Sequence, residues 1–484
     1  MGALLMVCGE GWDDSKPGPR SKEKVRSHPV RFGARKAMKP LFTLLFCLFA
    51  LCPWLSAEKP NVLFIVGDDM GYADVGFHGC KDIPTPNLDA LAASGVRFTQ
   101  GYVTGPYCSP TRAGLLSGRY QTRFGHEFNP GGEESGLPLS EKTIADRLKA
   151  AGYETGLVGK WHLGSQPAMQ PQQRGFGSFF GFLGGAHDYF SKNGILRGTE
   201  QVTEFDHTTD AFGREAATFI EKNQGKPWFL YLAFNAVHTP MQATKERLAK
   251  MAAITDPQRR TYAAMMLAMD DSIGVVRAKL AATGQEQNTL VTFISDNGGP
   301  TMEGVTVNGS INTPLRGSKR TTLEGGIRVP FLISWPAKLK PAVYEKPVIQ
   351  LDLTATALIA AGTESPGEGV DLMPYVLGEK TTTPHEALFW RFGDQTAIRF
   401  GDYKLVSYDG AAESKPGTLQ GPKLYNLATD IGESKDLSAE MPERVKELQA
   451  KWDAWNHTNV PPLWGGKEKR GKGMKKKKKG NAEE

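Results

Sequence analysis

The chain has 484 residues, 40% hydrophobic and 23% charged, enough to bury a large core in more than one domain, which excludes a fibrous or disordered protein. Its net charge of +6 is uneven: residues 1–57 carry nine Lys or Arg against four acids, residues 467–484 nine against three, and the body between is at −5. The body therefore gives no support to nucleic-acid binding, and with Cys80 and Cys108 the only cysteines beyond residue 57 a disulfide framework is excluded.

In chain order, residues 1–57 read as a leader. Lys39 to Ala57 has a basic start, the apolar run Leu41 to Leu51 and a Leu55-Ser56-Ala57 ending that suits signal peptidase. The run is shorter than the about 20 residues that a spanning helix needs, so a secreted or periplasmic chain with no stable membrane span is expected, with retention as an anchor the alternative. Polar, basic sequence precedes Met38, which makes Met38 the expected start.

From Asn61 onward, short apolar runs alternate with helix-like stretches, the pattern of a mixed, mainly parallel sheet covered by helices. Strands are expected at Asn61 to Val66, Glu154 to Val158, Trp228 to Phe234, Leu290 to Ile294 and Val329 to Ile333. Helices are expected at Lys142 to Ala151, Ala211 to Lys222 and Arg260 to Ala282. After about Thr383 the runs Ala387 to Phe392, Thr396 to Phe400 and Tyr403 to Ser407, joined by Gly-Asp turns, predict a smaller C-terminal antiparallel sheet. An amphipathic helix, Glu443 to Trp455, is expected to pack on it. The expected division is an α/β domain over 58–383, an α+β subdomain over 384–466, and a solvated, disordered basic tail over 467–484. Lys475 to Lys479 holding an anionic polymer or envelope is the alternative role for that tail.

The nearly all-apolar strand Asn61 to Val66 runs into Gly67-Asp68-Asp69, and Leu290 to Ile294 runs into Ser295-Asp296-Asn297. Ligands in open α/β sheets gather at the carboxyl ends of strands. Parallel strands would bring Asp68, Asp69, Asp296 and Asn297 to one edge, where an all-oxygen set suits a hard cation such as Ca²⁺ or Mg²⁺. For either pair alone, turn and helix-cap roles are the competing reading.

In Cys108-Ser109-Pro110-Thr111-Arg112, Ser109 is the expected cap of a helix, Pro110 fits its first turn, and Gly118 ends it. Cys108 then precedes a helix N-terminus, whose free N–H groups favour a negatively charged nucleophile or substrate. Arg112 lies one turn in, able to reach back towards it. A buried free thiol is the bland alternative.

The spacing C-x-P-x-R, continued by Gly114-Leu115-Leu116-Ser117-Gly118-Arg119, resembles the signature of the formylglycine-dependent sulfatases, the group of arylsulfatases and N-acetylgalactosamine-6-sulfatases within the alkaline phosphatase superfamily. The resemblance extends over most of residues 60–460, including Gly159-Lys160-Trp161-His162-Leu163-Gly164 and Leu424-Tyr425-Asn426-Leu427. It implies an alkaline-phosphatase-like fold with 58–383 as the catalytic part. It also implies that a formylglycine-generating enzyme oxidises Cys108 to an aldehyde whose hydrate is the nucleophile.

By the same resemblance, Asp68, Asp69, Asp296 and Asn297 are metal ligands for Ca²⁺ or Mg²⁺, completed by an oxygen of the modified Cys108. Arg112 and His162 orient and activate the hydrate. Lys160, His238 and Lys319 contact the sulfate oxygens, and His238 gives a proton to the leaving oxygen. At Ala186-His187-Asp188 the chain departs from members with a polar residue before the His-Asp pair. His187 or Asp188 then either touches the organic part of the substrate or serves packing. The implied activity is hydrolysis of sulfate monoesters, on a sulfated carbohydrate. The alternatives are a phosphate or phosphonate ester hydrolase, which would need a second metal set that cannot be located in the sequence, and a catalytically silent carbohydrate-binding relative.

Overall fold

Asn61–Gly67, all seven residues buried, pairs in parallel with Trp228–Ala233 on one side and Thr289–Ser295 on the other. A strand covered on both faces can be apolar throughout, which is why its sequence shows no alternation. The computed structural model describes residues 59–132, 134–302 and 306–465, besides Arg26, His28 and Pro29. The expected signal peptide, the start at Met38 and the basic tail lie outside the described residues.

Among the described residues, ten strands form the main sheet, in the order 342–344, 96–98, 331–334, 289–295, 61–67, 228–233, 154–160, 178–182, 196–197 and 200–201. The centre is parallel, while Phe331–Ser334 runs antiparallel to its neighbours on both sides, so the sheet is mixed and mainly parallel as expected. Successive side chains point to opposite faces. Leu63 and Ile65 join Leu230, Leu232 and Phe293 in a core covered by the helices Thr208–Lys222 and Pro257–Ala282. Val62, Phe64 and Val66 join Tyr231 and Ile294 in a second core with Leu115, Leu148 and Leu353, from the helices Cys108–Ser117, Ile144–Ala150 and Gln350–Ala360.

Ala387–Phe392, Gln395–Phe400, Tyr403–Asp409 and Leu419–Asn426 form an antiparallel meander. Helix Pro442–Asn456 closes it by burying Leu448, Trp452 and Trp455 against Leu388, Trp390, Ile398 and Leu424. The large mixed sheet flanked by helices and the smaller C-terminal antiparallel sheet match the expected architecture. Among the described residues no helix is long and apolar enough to cross a membrane.

Candidate active site

The parallel register sets Gly67 beside Ser295, so the residues after both strands leave the sheet at one edge. Asp68, Asp69, Asp296 and Asn297 meet there, each fully buried. The Asp69 N–H donates to Asp296 Oδ1 at 3.2 Å, and Asn297 Nδ2 donates to Asp69 Oδ1 at 2.7 Å. Asp69 adopts φ +64°, a left-handed conformation that Asp tolerates better than most residues.

Helix Cys108–Ser117 points its start at this edge, and all ten of its residues are buried. The helix differs from expectation at its cap. Tyr107, with extended backbone, is the flanking residue and offers no side-chain cap, and Cys108 is already helical. Ser109 Oγ is drawn instead to the His162 carbonyl at 2.7 Å and the His126 ring at 2.6 Å. Its backbone N–H is taken by Asn129 Oδ1 at 3.1 Å, a cap supplied from another loop. Gly118 ends the helix at φ +70° as expected.

Cys108 Sγ lies 3.7 Å from Asp68 Oδ1 and 4.0 Å from Asp69 Oδ1. Burial raises its thiol pKa far above the ordinary range, against the pull of Lys160 and Lys319, so the bare thiol is protonated and a poor nucleophile. Arg112 makes its hydrogen bonds to neighbouring strands and strand ends. Its Nε and Nη2 donate to Asp296 Oδ2 at 3.0 and 2.8 Å, and Nη1 reaches the Lys160 carbonyl and the Tyr231 hydroxyl at 3.4 and 3.3 Å.

The cations come from three further strand ends and loops. Lys160, the last residue of Glu154–Lys160, binds Asp68 Oδ2 at 2.5 Å. The preceding Gly159, at φ +112°, has no room for a side chain, since a Cβ would stand 1.9 Å from the Ala233 carbonyl oxygen. Lys319 binds Asp69 Oδ2 at 2.7 Å, and His238 Nε2 lies 3.5 Å from the same oxygen. The loop of Lys319 leads into the short helix Glu324–Ile327 before the strand Phe331–Ser334.

Burial raises the Asp68 carboxyl pKa, but Lys160, His238, Arg112 and Lys319 together win and hold it well below the ordinary range. Asp296 goes the other way, to about 6, because burial and the Asp68 charge outweigh Arg112 and Lys160. His162 is kept neutral by burial, then by the charges of Lys160 and Arg112, and its buried Nδ1 has no hydrogen-bond partner. His238 Nδ1 donates to the Thr239 carbonyl at 2.6 Å, which leaves Nε2 facing the site.

These groups open into a cleft of about 400 Å³ lined by Tyr107, Asn129, His162, Gly185, Ala186, His238, Lys319 and Arg320, among others. His187 and Asp188 bond within their own loop and to Gln242. The His187 ring bonds the Asp188 and Asn193 carbonyls, and Asp188 accepts the Phe190 and Ser191 N–H groups and Gln242. Sequence reasoning missed Asn308, whose buried amide donates to the Asp69 and Val237 carbonyls at 3.1 and 2.9 Å, and also Tyr231 and Asn129. All three act across the fold, and no local spacing announces them.

The site also tests whether a cation fits. Asn297 Oδ1 is buried without a partner, while its Nδ2 is used twice. Asp68, Asp69, Cys108 and His238 form a group whose ligand atoms lie within 4.8 Å of one another. Three buried carboxylates and an orphaned amide oxygen suit a hard divalent ion.

The sulfatase family model matches residues 60–363. The chain is 33% identical to arylsulfatase A of Bos taurus over 85% of this chain and 90% of that one. It is 33% identical to N-acetylgalactosamine-6-sulfatase of Canis lupus familiaris over 72% and 71%. Among solved structures, Ps i-CgsB in complex with k-i-k-neocarrahexaose superposes with a TM-score of 0.78 at 35% identity, over 86% of this chain and 96% of that one. The chain therefore belongs to the formylglycine-dependent sulfatase family and is a sulfuric ester hydrolase.

Proposed function

We propose that the protein removes sulfate from a sulfated carbohydrate, with formylglycine made from Cys108 and one divalent cation, Ca²⁺, at Asp68, Asp69, Asp296 and Asn297. The observation that carries this reading is the placement of Cys108 Sγ 3.7 and 4.0 Å from two buried carboxylates that are themselves bound by Lys160 and Lys319. Sγ stands where the oxygens of the aldehyde hydrate would be. The hydrate supplies a nucleophilic hydroxyl and a second hydroxyl through which the aldehyde is restored, which a serine or thiol lacks. The bound cation supplies charge stabilisation on the sulfate oxygens and on that nucleophile.

The chain's own residues do the rest. Lys160, Lys319 and the start of the Cys108 helix neutralise the sulfate oxygens that would repel an incoming nucleophile. Arg112 holds Asp296 in place. His238, its ring fixed by Thr239, gives a proton from Nε2 to the leaving oxygen. His162, neutral and at the cleft wall, accepts the proton of the second hydroxyl as the aldehyde is restored and sulfate leaves. The carbohydrate class is supported by the relatives above, one named N-acetylgalactosamine-6-sulfatase and one solved in complex with k-i-k-neocarrahexaose. The signal-peptide reading supports maturation by a formylglycine-generating enzyme during export and a secreted or periplasmic location.

Mass spectrometry of the Cys108 peptide from active enzyme should show the aldehyde; an unmodified thiol overturns the reading. Turnover of an aryl sulfate without turnover of an aryl phosphate is expected, and the reverse preference would favour phosphate or phosphonate ester hydrolysis. Restoration of metal-stripped enzyme by Ca²⁺ rather than Mg²⁺ tests the ion.

A further inference from the structure

Arg320 is an arginine in a conformation that arginine rarely takes. Its φ is +72°, a left-handed backbone that a residue with a Cβ adopts at a cost and keeps only where its surroundings enforce it. Two long-range contacts enforce it here. The Arg320 N–H donates to the Pro106 carbonyl at 2.7 Å, beside Tyr107, and its own carbonyl accepts Gln395 Nε2 at 2.9 Å, from the first residue of a strand in the C-terminal sheet. The strained residue is thus clamped between the loop before the Cys108 helix and the small sheet.

The clamp sets Arg320 in the lining of the cleft that holds His162, His238 and Lys319, with its guanidinium towards the Tyr107 ring. There it lies 5.8 Å from the Tyr107 ring, against which Lys319 also stands, at 5.5 Å. The two cations differ in what they meet. Lys319 is committed to Asp69, whereas no Asp or Glu is among the described residues lining the cleft. Arg320 is a positive charge at the cleft wall, one residue along the chain from a sulfate contact, with planar paired donors that match a sulfate or carboxylate.

We propose that Arg320, with Tyr107 as its platform, is a specificity-determining residue that binds a second anionic group of the substrate, so that the preferred carbohydrate carries another sulfate or a carboxylate near the ester that is cleaved. This rests on the sulfatase reading above and adds to it the charge of the substrate beyond the reacting group. A polar contact to a charged group contributes enough to change affinity by about tenfold or more.

The test separates binding from turnover. Dissociation constants are measured on Cys108→Ala protein, which consumes nothing, for neocarrabiose with one sulfate, neocarrabiose with two, and a monosulfated disaccharide containing a uronic acid. Tighter binding of the second or third probe than of the first, removed by Arg320→Gln and partly kept by Arg320→Lys, supports the proposal. The better of the two doubly charged probes tells sulfate from carboxylate. Equal binding of all three probes, or an Arg320→Gln variant that weakens all three equally, overturns it. The matching ratios of kcat/KM on active enzyme should fall in Arg320→Gln by about the same tenfold. Failure to turn over any sulfate ester would instead overturn the sulfatase reading, while the dissociation constants would still decide the role of Arg320.

Discussion

Arg112 and Asp296 are joined twice, Nε and Nη2 both reaching Asp296 Oδ2, with neither side chain exposed. The contact ties helix Cys108–Ser117 to the end of a central strand. Removing one partner of a buried pair leaves an uncompensated charge, which typically costs about 3–5 kcal/mol. Arg112→Ala is therefore expected to lower unfolding free energy by that order in denaturant titration, and to abolish turnover. Arg112→Lys should recover stability in part but not the two-point hold on Asp296. An Arg112→Ala protein as stable as the parent would show that the pair does not carry the helix position.

Chelation should act on stability as well as on rate. Asp68, Asp69 and Asp296 crowd three carboxylates into one buried edge, so an ion that binds only the folded chain stabilises it, by about 2.7 kcal/mol at a free concentration of about a hundred times Kd. Treatment with EDTA is expected to lower Tm and stop hydrolysis of an aryl sulfate, with both restored by Ca²⁺. An unchanged Tm together with full activity would rule out the proposed ion.

The Ser109 N–H at the helix start depends on Asn129, and Asn129 depends on the end of the described chain, because Trp464 Nε1 donates to the Phe128 and Asn129 carbonyls at 3.0 and 2.9 Å. Loss of a helix cap costs about 1 kcal/mol. Asn129→Ala should show that loss together with a fall in kcat. Trp464→Phe, which keeps a ring and deletes the donor, should loosen the same loop and lower kcat by less. An Asn129→Ala enzyme with parental kcat would separate the cap from catalysis.

Away from the cleft, Glu433 gives the stability a pH dependence. Lys404 Nζ lies 2.9 Å from both Glu324 and Glu433, within ion-pair distance, and all three side chains are buried. Burial raises the Glu433 carboxyl to about 7 from 4.5, the Lys404 charge opposing and the Glu324 charge adding to the rise. A folded pKa raised above the unfolded one contributes stability that is complete below 4.5 and lost as pH rises through about 7. Glu433→Gln should remove this dependence. Relative to the parent, its unfolding free energy should therefore rise between about pH 5 and about pH 8, by up to about 3 kcal/mol. Parallel stability curves for the two proteins would contradict this.

Much of the site was legible because it sits where sequence and sheet geometry coincide. Asp68 and Asp296 follow strands so apolar that they had to be buried on both faces, and parallel pairing then sends both to one edge. The long helices were recognised within a few residues: Pro257–Ala282 against the expected start at Arg260, and Pro442–Asn456 against Glu443 to Trp455. Strands Val96–Phe98, Ser178–Phe182 and Ala342–Tyr344 were not expected, being short and lacking a period that marks them. The cap at Ser109 was misread for a different reason. A serine near a helix start favours capping locally, but here the His162 carbonyl and His126 compete for its hydroxyl, and they arrive only through the fold.

Helix Cys108–Ser117 is buried along all ten of its residues, and Cys108 is 1% exposed. That burial leaves almost none of the Cys108 side chain within reach of another macromolecule. On the formylglycine reading proposed above, conversion of Cys108 would have to come before this segment folds. On the same reading, a chain that folded first would keep its buried thiol. The yield of working enzyme would, on that reading, be set by kinetics at biosynthesis, and two preparations of equal stability would differ in activity by the fraction converted before folding.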